Sequence, residues 1–567
     1  MSRRAAQSIP RARRHLLLGL CALAGVALVA RAVDLQVLRS DFLQNQGTVR
    51  HVRTVPVAAH RGMLLDRHGE PLAISTPLAS IWADPGPLSD APDRWSELAS
   101  ALDLPAARLA ERIRSAQDRQ FVWLQRRVTP ARAEEVLALD IPGVGERREY
   151  RRYYPTGEVS GQVLGFTGVD DHGQEGLELA FEDWLSGKSG RKRVVQDRLG
   201  RVVEDLELLR AAENGRDLRV SLDRRLQYLA YRELKAAVAR HNARGGSLVM
   251  LDVHSGEVLA MVNQPSFNPN DSSDRSGDRV RNRAVTDVFE PGSTMKALTV
   301  AAALESGAVD PATPVSTAPG RLRIGGHTIT DYKDLGELDV SGVVSKSSNV
   351  GVSRIALSLE PRRMWETFAD FGLGVSTGSG FPGERGGRLQ PPGDWGQVEQ
   401  ATMAFGYGVS VTALQLARAY AAIAAGGIMP PIHFLTGAGE SAEGTRVLSS
   451  ETAGELRRML EDAASSRGTG QRAGVAGYRV AGKTGTAHKL AAGGYARDRY
   501  RAVFAGFAPA GEPRIATVVM IDEPEGEAYY GGEIAAPVFS RVMAGAMRLL
   551  DVRPEASTLV ADRGGDS

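Results

Sequence analysis

Ser293 stands three residues ahead of Lys296 in Glu290-Pro291-Gly292-Ser293-Thr294-Met295-Lys296, and the apolar run Ala297 to Leu304 follows at once. Pro291 and Gly292 are turn residues, so the pattern predicts a turn opening a buried helix, with Ser293 in its first turn. A hydroxyl placed there faces unpaired backbone N–H groups at the positive end of the helix dipole. An oxygen acquiring negative charge is favoured at such a point. Lys296 lies over the same helix face. Held in mostly apolar surroundings, its amine loses solvation, its pKa falls, and it becomes a base able to take the serine proton. The same residues also fit a serine cap followed by a lysine snorkelling to the surface.

Two downstream clusters bear on that choice. Ser345-Lys346-Ser347-Ser348-Asn349 sits between helical segments and offers a second hydroxyl, an amide and another lysine. Lys483-Thr484-Gly485-Thr486 falls on an expected strand, where the glycine avoids holding a ligand backbone away and a substrate can align beside an edge. Each cluster alone has little specificity. Their order and context carry more.

The elements that must position them are legible from about residue 221. Leu222 to Arg240 has helical periodicity, with Leu226, Leu229, Ala230, Leu234, Ala237 and Val238 on the apolar side. Ser247 to Val253 and Glu257 to Val262, joined across His254-Ser255-Gly256, read as a β-hairpin. Tyr478 to Ala487, Arg501 to Phe507 and Arg514 to Ile521 read as three more strands, and Ala536 to Leu550 as a closing helix. The expected fold is α+β, with one five-stranded antiparallel sheet covered by helices and a mostly helical insert holding Ser293.

Upstream, the chain changes character. Residues 1–14 carry five arginines and no acid, and Leu16 to Ala30 runs without a charge. The arrangement predicts a cytoplasmic basic tail and a membrane anchor over 15–38, with Arg31 and Asp34 at the interface and the remaining chain sent outward. A cleaved signal peptide is the rival reading, with Ala30-Arg31-Ala32 a poor cleavage site. Residues 40–220 mix short apolar segments, arginines and turns. Arg61 to Ala73 reads as strand, turn at His68-Gly69 and strand, Trp95 to Leu102 and Pro130 to Leu139 as helices, and Arg147 to Tyr154 as a strand. No acid pair, histidine cluster or phosphate loop emerges there, so this region is expected to be a non-catalytic pedestal. Residues 221–550 form the expected catalytic domain and 551–567 a loose polar tail.

Composition excludes some classes. Lys+Arg 69 against Asp+Glu 67 in 567 residues leave no strong field for nucleic acid, and 43% hydrophobic residues suit packed cores. Cys21 is the single cysteine, so there is no internal disulfide and no cysteine-based metal site.

Taken together, Ser293-Thr294-Met295-Lys296, Ser347-Ser348-Asn349 and Lys483-Thr484-Gly485-Thr486 resemble the S-x-x-K, S-x-N and K-T-G boxes of the penicillin-recognising serine acyl-enzymes. The basic start with its anchor, the Arg61 to Ala73 segment, Arg152-Tyr153-Tyr154-Pro155 and the Gly406-Tyr407-Gly408-Val409-Ser410-Val411-Thr412 stretch are similar to class B penicillin-binding proteins. The resemblance spans roughly residues 15–550 and, within class B, is to the division-specific FtsI type more than to the elongation type. It implies a peptidoglycan D,D-transpeptidase anchored in the inner membrane with a periplasmic catalytic domain. Ser293 would attack the carbonyl between the terminal D-alanines of a stem peptide while Lys296 takes its proton. Ser347 would relay a proton to the leaving D-alanine, and Asn349 would hold the peptide amide or Lys296. Lys483, Thr484 and Thr486 would bind the terminal carboxylate, with Gly485 between them, and the N–H groups of Ser293 and Thr486 would form the oxyanion hole. β-Lactams would mimic the dipeptide. The implied partners are an FtsW-type polymerase and other division proteins, and neither metal nor organic cofactor is needed. A β-lactamase would share the boxes but needs a group activating water, and a non-enzymatic scaffold or β-lactam sensor would not need the intact set.

Overall fold

The computed structural model describes residues 11–38, 52–196, 202–437, 443–491, 494–526 and 528–555. Most of the expected basic tail, residues 1–10, and most of the expected polar tail, residues 556–567, lie outside the described residues. A helix over Arg11–Val33 continues as a π-helical turn over Asp34–Leu38. Within it Ala12–Gln36 is long and apolar enough to cross a bilayer, with a mean hydropathy of 2.3 over its most apolar 18 residues. Arg31 and Asp34, the two charges that interrupt the apolar run, pair with each other at 2.8 Å.

The chain condenses into two compact units. One comprises Met1–His60, Pro77–Arg151 and Lys188–Asn214, and the other Arg61–Thr76, Arg152–Gly187 and Gly215–Ser567. The first unit contains a three-stranded antiparallel sheet of Val52–Val57, Gly190–Gln196 and Val202–Arg210. It also holds a small core in which Leu98, Leu102, Leu109, Ile113 and Val136 from short helices pack with Ile81 and Leu124 from paired strands.

The second unit holds the five-stranded sheet. Its strands are β1 (Gly245–Asp252), β2 (Val258–Gln264), β3 (Ala481–Ala491), β4 (Gly494–Ala508) and β5 (Ile515–Asp522), antiparallel in the order β2-β1-β5-β4-β3. Side chains alternate between two cores, as a two-sided sheet requires. Leu248, Met250, Phe504 and Val519 face a layer with helices α1 (Arg224–Arg240) and α6 (Gly531–Leu549), whereas Val249, Leu251, Val503 and Val518 face the helical insert. The insert includes α2 (Lys296–Glu305), α3 (Asn349–Leu357), α4 (Ala413–Ala424) and α5 (Ser450–Ala464). Helix α4 packs on the sheet, and α2 packs against α3 and α5. Asp223 caps α1 through Arg225 and Leu226 N–H, which starts the helix at Arg224 rather than Leu222.

The closing helix α6 begins at Gly531, five residues before the expected start, and carries Pro537 inside it. Proline biases a sequence reading toward a boundary because it removes a helical donor. Here burial of Ile534, Ala535, Val538 and Phe539 against the sheet outweighs the lost bond.

Two segments singled out in the sequence meet in this unit through Glu178. Arg61 and Arg152, both almost fully buried, each pair with the Glu178 carboxylate, at 2.7 and 2.6 Å. Arg61 also reaches Glu182 at 2.7 Å. The arginines at these two sequence positions are thus the two ends of a buried ion triad.

Candidate active site

The serine expected in the first turn of an α-helix sits instead in a 3₁₀ turn, Gly292–Met295, and Lys296 is the first residue of α2. The tighter turn is held by Thr294 Oγ1 donating to Pro291 O at 2.8 Å, and by Tyr420 OH of α4 donating to Thr294 O at 2.9 Å. It lies against strand β3, the free edge of the sheet. A Cβ added at Gly292 would come within 3.2 Å of Thr486 O, and one added at Gly485 within 2.6 Å of Pro291 O. Gly485 therefore makes room for the serine's own turn.

Lys296 is fully buried and its amine is held by the second cluster. Nζ donates to Ser347 O at 2.5 Å, to Asn349 Oδ1 at 2.8 Å and to Ser347 Oγ at 3.1 Å. Among the described residues no hydrogen bond joins it to Ser293, whose half-buried hydroxyl has no partner. The expected hydrogen bond between serine and lysine is thus not formed, and the amine faces the Ser347–Asn349 loop instead. Burial, and after it the nearby Lys483, lower the Lys296 pKa well below the ordinary lysine value, while Asp331 opposes the shift.

Ser347 adopts a positive φ of 61°, a region that few non-glycine residues occupy. That conformation turns its carbonyl and hydroxyl toward the same amine. Lys483, also fully buried, donates to Ser347 Oγ at 2.9 Å, to Thr484 O at 3.3 Å and to Thr469 Oγ1 at 3.4 Å. With both lysines donating, the two acceptor positions of the Ser347 oxygen are filled and its own hydrogen is left to point elsewhere. Burial brings the Lys483 pKa down to about 7.

The remaining expected residues have structural partners as well. Thr484 Oγ1 lies 2.7 Å from Thr469 Oγ1, and Thr486 Oγ1 accepts from Gly531 N at 3.0 Å, tying β3 to the start of α6. Lys346 is turned out of the cluster and donates to Arg467 O. Asn349 Nδ2 donates to Thr330 O at 3.1 Å, so its amide is oriented with the oxygen toward Lys296.

Sequence reasoning missed Thr469 and Asp331. Asp331 Oδ1 accepts from Asn349 N and from Val350 N, at 2.5 and 3.1 Å, and Oδ2 accepts from Ser348 Oγ at 2.5 Å. It anchors the start of α3, where a carboxylate meets unpaired N–H groups and the positive end of the dipole. Nothing in its spacing from the boxes marks it out. The contacts form only when the loop before α3 folds back.

The geometry is a serine hydroxyl without a hydrogen-bond partner among the described residues, at a 3₁₀ turn, next to two buried amines that share one hydroxyl. Comparison with known proteins matches the same parts of the chain. The penicillin-binding protein transpeptidase domain model matches residues 246–544, and the penicillin-binding protein dimerisation domain model matches residues 56–220. The chain is 44% identical over 548 residues to the peptidoglycan D,D-transpeptidase FtsI of Escherichia coli K12, covering 96% of this chain and 92% of that protein. It is 40% identical over 531 residues to the probable peptidoglycan D,D-transpeptidase PenA of Neisseria meningitidis, covering 93% and 91%. Among solved structures, a peptidoglycan synthetase from Bifidobacterium adolescentis superposes with a TM-score of 0.72 at 25% identity, over 89% of this chain and 98% of that one. The transpeptidase domain of Burkholderia pseudomallei penicillin-binding protein 3 is 44% identical, with a TM-score of 0.55 over 59% of this chain and 97% of that one. The chain belongs to the class B penicillin-binding proteins of the FtsI type.

Proposed function

We propose that this membrane-anchored peptidoglycan D,D-transpeptidase works as a serine acyl-enzyme that cross-links septal stem peptides during division. The observation that carries the mechanism is the shared hydroxyl: Ser347 Oγ accepts from both Lys296 and Lys483, beside the unpartnered Ser293. Lys296, kept neutral by burial, takes the Ser293 proton as Oγ attacks the carbonyl between the two D-alanines. The backbone N–H groups of Ser293 and Thr486 receive the oxyanion. Ser347, whose hydrogen is free, passes a proton to the departing D-alanine amine, and Asn349 holds Lys296 in register. Lys483, with the Thr484 and Thr486 hydroxyls, binds the terminal carboxylate. An amine of a second stem peptide then takes the acyl group. β-Lactams enter as mimics of the dipeptide and stay attached to Ser293.

The same reading places the N-terminus in the cytoplasm and the catalytic domain in the periplasm, with an FtsW-type polymerase and other division proteins as partners. Labelling the protein with a fluorescent penicillin tests the chemistry. Ser293→Ala is expected to abolish a covalent, minutes-to-hours-stable adduct while leaving thermal unfolding nearly unchanged. Labelling that persists in the folded variant excludes Ser293. Rapid turnover of the drug by the unsubstituted protein would indicate a β-lactamase, and no adduct at all a scaffold.

A further inference from the structure

A transpeptidase needs a second proton acceptor, because the amine that takes the acyl group arrives as an ammonium ion. Glu290 stands three residues before Ser293, on the approach to the 3₁₀ turn. Its Oε1 accepts from Gly408 N and from Tyr495 OH, both at 2.8 Å. Its Oε2 is buried with no hydrogen-bond partner, and among the described residues no ion pair involves this carboxylate. Arg501 acts on it only through space and is itself paired with Asp522 at 3.0 Å. Glu290 is therefore a largely desolvated anion without a cation, and burial moves its pKa upward.

The surroundings tie this carboxylate to the edge of the site. Gly406, two residues before the donor Gly408, packs so closely that an added Cβ would lie 2.3 Å from Gly292 O. Tyr407 OH accepts from His488 N, two residues beyond Thr486, and the Tyr407 ring meets the Tyr495 ring edge-on at 5.0 Å. The charged and titratable groups around Glu290 are thus Tyr495, Tyr407, His488 and Arg501. Of the first two, Tyr495 is 46% exposed, so its hydroxyl joins solvent to the buried acid.

We propose that Tyr495 and Glu290 form the proton acceptor for the incoming amine in the second half-reaction, with Glu290 as the missing counter-charge for an ammonium acceptor. The inference rests on the acyl-enzyme reading above. The ammonium gives one proton to the Tyr495 oxygen as the tyrosine passes its own to Glu290, which leaves a neutral amine and a protonated acid. The amine nitrogen attacks the acyl carbon; the C–N bond forms and the C–Oγ bond to Ser293 breaks. The amine's second proton passes through Lys296 to Ser293 Oγ, and Glu290 returns its proton to water.

The test is the partition of a single acyl-enzyme between amine and water. Full-length protein in detergent is given a D-alanyl thioester as donor and D-methionine as acceptor, and the ratio of aminolysis to hydrolysis products is measured. Both products arise from one intermediate, so any change in acylation rate cancels. Glu290→Gln is expected to lower this ratio roughly 10²-fold, the usual scale of a general base, and Tyr495→Phe to lower it in the same direction by less. Hydroxylamine, neutral at the assay pH, needs no first deprotonation and should be transferred by both variants at the unsubstituted ratio. A ratio unchanged with D-methionine overturns the proposal, as does an equal loss with both acceptors, which would mark a structural role. Should Glu290→Gln form no acyl-enzyme, the exposed Tyr495→Phe variant decides by the same comparison. Absence of an acyl-enzyme in the unsubstituted protein would instead sink the underlying mechanism.

Discussion

Asp331 offers the sharpest separation of positioning from charge in this site. Its carboxylate makes three contacts to the start of α3, two of them with backbone N–H groups of Asn349 and Val350. Hydrogen bonds to a charged group contribute about 1.5–3 kcal/mol each. Asp331→Ala removes all three, so Asn349 loses the anchor that aims its Oδ1 at Lys296. If about 2–4 kcal/mol of that loss reaches the transition state, acylation slows by roughly 30- to 1000-fold. Asp331→Asn keeps an oxygen for the two N–H groups, and removes the charge and the second oxygen that accepts from Ser348 Oγ. Because that charge raises the Lys296 pKa, its removal lowers it, and more of the amine is neutral at a given pH. The acid limb of the pH profile for penicillin acylation should therefore move to lower pH in Asp331→Asn, with a rate loss under about tenfold. Stopped-flow acylation across a pH series measures both. A rate for Asp331→Ala within about twofold of the unsubstituted protein, or an alkaline shift in Asp331→Asn, would refute the reasoning.

Two further outcomes follow from buried charge. Lys483 must be protonated to hold a carboxylate, and its pKa is brought down to about 7, so acylation efficiency should fall as pH rises through that region. Lys483→Arg, permanently charged, should lose this alkaline limb even where its absolute rate is lower, and a limb that stays in place would assign it to another group. Glu178→Gln leaves the Arg152 guanidinium buried with no carboxylate partner and Arg61 with Glu182 alone. Breaking a buried ion network in this way costs about 3–5 kcal/mol, so the temperature at which half the penicillin-labelling capacity is lost should drop by several degrees. An unchanged midpoint would mean that the triad contributes nothing net.

The sheet and its covering helices were legible because alternation and helical periodicity are local signals. Leu248 and Val249, adjacent in sequence, enter different cores, and that alone fixes a strand buried on both sides. Helix α6 shows where local signals fail. Pro537 points to a boundary, yet tertiary burial carries the helix through it. At the site, Lys296, Ser347, Asn349 and Lys483 could be picked out as residue types, and the structure brings them into one hydrogen-bonded cluster. Of their pairings, that of Asn349 with Lys296 was expected from the family resemblance, and the sharing of Ser347 between the two lysines was not. Spacing placed Ser293 against Lys296, whereas the fold gives the amine to Ser347 and Asn349, because which loop faces a helix is decided by packing. Asp331 and Thr469 were missed for a related reason: each makes a contact distant in sequence, and neither falls in a recurring short motif.

The two amines also bear on what the site will accept. Lys296 and Lys483 are both buried, both have pKa values lowered by that burial, and among the described residues neither forms an ion pair. With its pKa brought down to about 7, Lys483 is only partly charged near neutral pH. A ligand carboxylate placed beside it would raise its pKa and fix the charge, and that fixed charge would push the Lys296 proton off more firmly. Binding of the terminal carboxylate and readiness of the base are then one coupled event. It follows that a carboxyl-methylated penicillin should lose acylation rate by more than its weaker binding explains. At saturating drug, where occupancy no longer limits, the maximal acylation rate should still be depressed, and most strongly above about pH 7, where Lys483 without a carboxylate beside it would lose its proton. Rate saturation curves for the acid and the ester at several pH values measure this. An ester that matches the acid's maximal rate, differing only in the concentration needed to reach it, would show that the carboxylate serves recognition alone and that the two lysines titrate independently.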